Sequence, residues 1–194
     1  MRTVPVDDFL PTLRQMVSTP LPMQMKDAII KSAIRFCRKT GVVFTERTIY
    51  QVYAGQTIKA VSGSRVNRKS GGNLKASDKS EVSIDGVELV AGQDFTHIEM
   101  DDIYFLRDLR NVSIRCAVEP APNAKELPAK LLDDWVYGVC AGAASWLYGQ
   151  PNLMNGDLHG YYEREFIEQT RHAARWRLET QPQTTRPTRK RSFF

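Results

Sequence analysis

Residues 23–55 read MQMKDAIIKSAIRFCRKTGVVFTERTIYQVYAG, and the hydrophobic period changes at Gly41. Before it, Met25, Ala28, Ile29, Ala33, Phe36 and Cys37 recur at helical spacing. Ile30 and Ile34 widen that stripe, while Lys26, Lys31, Arg35 and Arg38 fall mostly toward its margins or the other side. Gly41 comes just after the last periodic residue, where a left-handed backbone ends a helix. After it, Phe44, Glu46, Thr48, Tyr50 and Val52 alternate with Val43, Thr45, Arg47, Ile49 and Tyr53 in a run rich in β-branched and aromatic residues. The spacing predicts an amphipathic helix, a glycine stop and a strand.

On the N-terminal side, VPVDDFLPTLRQMV places Val6, Phe9, Leu10, Leu13 and Val17 near a 3.6-residue period, and TPLP interrupts it. On the C-terminal side, TIKAVSG, EVSI, VELV and NVSIRCAVEP are further strand candidates, with Asp85-Gly86 a tight hairpin turn. NRKSGGNLKASDKS, residues 67–80, is polar and rich in Gly, Ser and Lys, and reads as a mobile loop. Helix then returns. PAKLLDDWVYGVCAGAASWLYG carries Leu131, Leu132, Trp135, Val139, Gly142, Ala143, Trp146 and Leu147 on one wide face, with Pro128 suited to its first turn. A second helix follows through Leu158, Tyr162, Phe166, Ile167, Ala173 and Trp176. Beyond Glu179, Pro182 and Pro187 interrupt a stretch without apolar period, which predicts an extended segment.

The expected fold is therefore α+β. An α-helical bundle is built from residues 1–41 and 121–180, a central antiparallel β insertion occupies 42–120, and an extended basic C-terminal arm occupies 181–194. Two helices alone would bury too little, so the two helical halves should pack together.

The 194 residues, 42% hydrophobic and 25% charged, suit a soluble globular protein. The net charge of +5 suggests nucleic acid until it is located. Residues 171–194 hold seven of the 27 cations and one of the 22 anions, so the first 170 residues carry a net charge of only −1. Cys37, Cys116 and Cys140 are widely spaced and odd in number, which predicts reduced thiols in a protein made in the cytoplasm. The uncharged stretch WVYGVCAGAASWLYGQP is shorter than the ~20 apolar residues of a membrane span. MRTVPVDDFLP carries acids where a signal peptide needs an apolar run, so neither a membrane partner nor secretion is expected.

DFTHIEMDD holds the one ionisable cluster resembling a site. Strand alternation would put His97, Glu99 and Asp101 on one face, with Asp102 adjacent, but no second histidine lies near and solvated surface is the simpler reading. No phosphate-cradling loop, H-E-x-x-H or G-x-S-x-G accompanies it, so no metal, cofactor or enzymatic activity is expected. GVCAGAAS packs small residues into two helical turns, so another backbone can approach Gly138, Gly142 and Ala143 closely, flanked by Trp135 and Trp146. Packing within the chain and a subunit interface both satisfy that pattern.

DAIIKSAIRFCRKTGVVF resembles the second helix of head-to-tail connector (adaptor, or head-completion) proteins of tailed bacteriophages. The segment from Leu127 to Ala173 resembles their C-terminal half. It matches at Leu127, Pro128, Leu132, Trp135, Val139, Gly142, Ala143, Leu147, Pro151, Leu158, Tyr162, Phe166 and Ala173. The resemblance covers roughly half of the chain. It implies a structural virion protein at the head-tail junction, made in the host cytoplasm, that forms a homo-oligomeric ring of twelve copies between the portal protein and the tail or next connector protein. Packaged DNA would pass through with transient, non-specific contact. Arg186, Arg189, Lys190, Arg191, Phe193 and Phe194 would form an arm docking on the portal. The competing reading is a nucleic-acid-binding accessory protein whose tail and 64–80 loop, with Arg68, Lys69, Lys75 and Lys79, contact phosphates.

Overall fold

The computed structural model describes residues 1–18, 21–63, 68 and 72–180. The chain forms strand β1 (Thr3–Pro5), a 3-10 turn (Val6–Phe9), and helices α1 (Leu10–Met16) and α2 (Pro22–Thr40). Strands β2 (Phe44–Val52), β3 (Thr57–Lys59), β4 (Leu74–Ile84), β5 (Val87–Glu88), β6 (Phe95–His97), β7 (Asp102–Phe105), β8 (Leu109–Pro120) and β9 (Glu126–Pro128) follow. Helices α3 (Ala129–Asp133), α4 (Val136–Tyr148) and α5 (Gly156–Thr180) complete the described chain. The fold is mixed α+β with antiparallel sheets, as the residue patterns predict.

Gly41 adopts φ 64° and its N–H bonds to the Cys37 carbonyl at 2.7 Å, closing α2 where the hydrophobic period changes. The apolar stripe of α2 is buried from Met25 to Cys37, against α4 and α5 on one side and β8 on another. In the four-stranded sheet, ordered β2-β8-β4-β5, the twelve-residue strand β8 is central. The second sheet is ordered β3-β7-β6. Asp85 and Gly86 both have positive φ, 49° and 80°, as the tight β4–β5 turn requires.

Four local expectations need correction. The N-terminal segment is not helical throughout, because Thr3–Pro5 pairs with Glu126–Pro128 and so ties the start of the chain to the start of its C-terminal half. Residues 67–80 are not one loop. From Leu74 onward they belong to β4, since Leu74, Ala76 and Ser77 are buried beside β8 and a register shift between Ala76 and Ser80 absorbs the polar run. The helix from Pro128 is broken, with Trp135 at φ −132° and ψ 20° separating α3 from α4. That break lets the indole bury against Phe36, His172 and Trp176. Finally, DFTHIEMDD is not one strand: it holds β6, a turn and only the first residue of β7.

One hydrophobic cluster takes in Phe9, Phe36, Leu147 and Phe166 from the helices, and Val82, Ile114, Ile103 and Phe105 from the two larger sheets. The Tyr148 and Tyr162 rings stack, and both hydroxyls donate to the Met16 carbonyl, pinning α4 and α5 to the end of α1.

Candidate functional site

The small-residue run of α4 is used within the chain. A Cβ added at Gly142 would fall on Ser32 Oγ and within 2.5 Å of Phe166 Cδ2, and one at Gly138 would lie 2.8 Å from Gln169 Cβ. Helices α2 and α5 thus occupy the space the two glycines leave, and Ser32 Oγ donates to the Val139 carbonyl across the contact at 2.6 Å. Ala143 is buried, and Lys31 Nζ sits 4.0 Å from the Trp146 ring centroid. The Trp135 indole N–H is the one buried side-chain polar atom without a hydrogen-bond partner among the described residues.

Beside this seam, Ser145, His159 and Glu163 approach one another in a way that superficially suggests a catalytic triad. Ser145 is buried and its hydroxyl donates to Glu163, while His159 Nδ1 donates to the Ser145 backbone carbonyl at 2.8 Å. Glu163 also accepts both guanidinium nitrogens of Arg35. Burial alone would raise the Glu163 carboxyl, but these bonds outweigh it and hold the group below its ordinary value. The hydroxyl is therefore a donor in a structural lock, not an activated nucleophile. The three cysteines are all buried and unpaired with one another. Burial pushes the Cys116 and Cys140 thiols up to about 12 and Cys37 higher still, so none forms a thiolate near neutral pH.

A second contact joins helix to sheet. Glu119, near the end of β8, has a fully buried side chain. Arg38 from α2 donates to both its oxygens, at 2.9 and 2.7 Å, and Lys75 from β4 pairs with it at 2.9 Å. Burial raises its carboxyl, and the two cations more than reverse this, leaving it below the usual carboxylate range. Nearby, Lys79 Nζ donates to the Lys39 carbonyl in the last turn of α2 at 2.6 Å. Partial burial, reinforced by the neighbouring Arg177 charge, lowers the Lys79 ammonium despite Asp78 beside it.

These contacts bear directly on the proposed phosphate-binding loop. Lys75 and Lys79 lie on β4 and are engaged within the protein, Arg68 is exposed, and Lys69 lies outside the described residues. The arm residues Arg186, Arg189, Lys190, Arg191, Phe193 and Phe194 also lie outside them.

The ionisable cluster of the β6–β7 hairpin is dispersed over structural tasks. Asp101 accepts the backbone N–H groups of Val61 and Ser62 at 2.6 and 3.1 Å, Asp102 pairs with Lys59 at 2.7 Å, and His97 Nε2 meets Ser80 Oγ at 3.0 Å. No group of three potential ligands stands within metal-binding reach among the described residues. Replacing Asp101 by alanine strands the N–H of buried Val61, while that of exposed Ser62 can turn to water, and should cost about 1–3 kcal/mol in urea unfolding. Added divalent cations should leave the wild-type unfolding midpoint unchanged.

The β module also exposes large apolar side chains. Tyr50 and Tyr53 protrude at the end of β2, and Ile98 and Met100 protrude at the turn of the β6–β7 hairpin. Among the described residues, no helix is long and apolar enough to cross a membrane. No protein-family model matches the chain, and no curated protein matches it significantly.

Proposed function

We propose that this chain is a structural adaptor of the head-to-tail connector type. Copies of the helical bundle would form the body of a ring between portal and tail, at the head-tail junction of a virion. The observation that carries the reading is the arrangement around Gly138 and Gly142. The helices before and after the β strands interlock there into one body, and the inserted β module carries exposed Tyr50, Tyr53, Ile98 and Met100 for contact with a neighbouring copy. This is the element order in which the helical segments resemble connector proteins. The fixed ion pairs and inert thiols suit a part whose task is to hold shape.

In this reading the basic arm docks on the portal, its arginines pairing with carboxylates and its phenylalanines entering an apolar groove. Deleting Thr184 to Phe194 leaves the body folded, because the core formed by the described residues lies entirely before it. The same deletion abolishes association with portal-bearing heads, scored by co-sedimentation. Full occupancy by the truncated protein would sink the portal role of the arm. Native mass spectrometry of the head-bound protein reads the copy number directly.

A further inference from the structure

Where the last turns of α5 pass the start of β2, an apolar groove of about 480 Å³ opens, lined by Val42, Val43, Phe44, Trp176 and Thr180. Its two aromatic rings are each covered on one side by a cation at the rim. Arg115 lies 4.1 Å from the Phe44 centroid and Lys130 lies 4.2 Å from that of Trp176. Among the described residues no acidic one lines it, so it suits an apolar or aromatic guest and disfavours a cationic one.

Thr180 stands at the lip of the groove, and residues 181–194 continue from it. In that segment the only large apolar side chains are Phe193 and Phe194. The residues between, 181–192, can span up to about 40 Å when extended, ample for a loop that leaves the lip and returns. Closing a loop of this length brings its end back at an effective concentration of order mM.

We propose that the groove receives Phe193 and Phe194 of the same chain, with Arg186 to Arg191 looped outside it and away from the rim cations. A partner that uses these phenylalanines must then compete with the groove. The proposal stands apart from the adaptor reading, and its test contains no portal.

A fluorescently labelled peptide of residues 188–194, TRKRSFF, is titrated with the full chain and with the full chain carrying Phe193→Ser and Phe194→Ser. The double variant, whose groove is vacated, should bind the peptide at least about tenfold more tightly than the wild type. Adding Thr180→Trp to the double variant fills the lip with an exposed side chain and should abolish that binding. Equal affinity for wild type and double variant, no binding to the double variant, or indifference to Thr180→Trp each overturns the proposal. Occlusion in the wild type should persist on dilution. Occlusion that disappears on dilution overturns the same-chain assignment in favour of a neighbouring copy's segment.

Discussion

Replacing Arg38 and Lys75 together by methionine is expected to destabilise the protein by about 3–5 kcal/mol near neutral pH, the range for stranding a buried charge. Glu119 is 0% exposed while its two cations are about half exposed, 50% for Arg38 and 47% for Lys75. Removing the carboxylate would leave cations that can turn toward water. Removing the cations leaves a carboxylate that cannot. The pH dependence separates this mechanism from lost packing. In the wild type the folded carboxyl lies below its unfolded value of about 4.3, so its contribution is present above that pH and is lost as pH falls through the folded value. In the variant, burial without partners raises the folded carboxyl above 4.3, so the deficit should shrink as acid protonates it. Urea unfolding of both proteins across the acidic range reads the difference. A deficit that stays constant with pH would mean that Glu119 is not held by these two cations.

Gly142→Ala is expected to destabilise by about 2 kcal/mol or more, against its local propensity. In an open helix the change gains up to about 1 kcal/mol, but here the methyl group would be driven into Ser32 Oγ and the Phe166 ring. Gly160 in α5 supplies the control, since nothing lies within 4 Å of a Cβ added there. Gly160→Ala should therefore be neutral or stabilising by up to about 1 kcal/mol. Adding Phe166→Leu to Gly142→Ala should recover part of the loss, because the two changes share one contact. Equal stability changes for the two alanine variants would show that the α2–α4–α5 seam has room to spare.

Several features were legible before any coordinates because their signals are local. The α2 stripe, the stop at Gly41, the alternation of β2 and the Asp85-Gly86 turn each depend on residues a few positions apart. What escaped was set by distant partners. Thr3–Pro5 becomes a strand only because Glu126–Pro128 lies beside it, and neither tripeptide carries a pattern of its own. The polar start of β4 is extended because the long β8 offers it a ladder. In the β6–β7 hairpin, composition alone collected ionisable residues that the backbone then assigned to separate tasks.

The sequence by itself determined the order helix, β module, helix, and the near neutrality of everything before residue 171, since periodicity and charge are properties of the chain. Two questions about particular residues were decided only by tertiary structure. Small residues at Gly138 and Gly142 permit a close approach without naming the partner, and the folding of α2 and α5 onto α4 filled that space from within the chain. Lys75 and Lys79 read as free loop cations until β4 brought one onto Glu119 and the other onto the end of α2. A side chain's availability depends on what the rest of the chain brings within a few ångströms of it, and no local pattern records that.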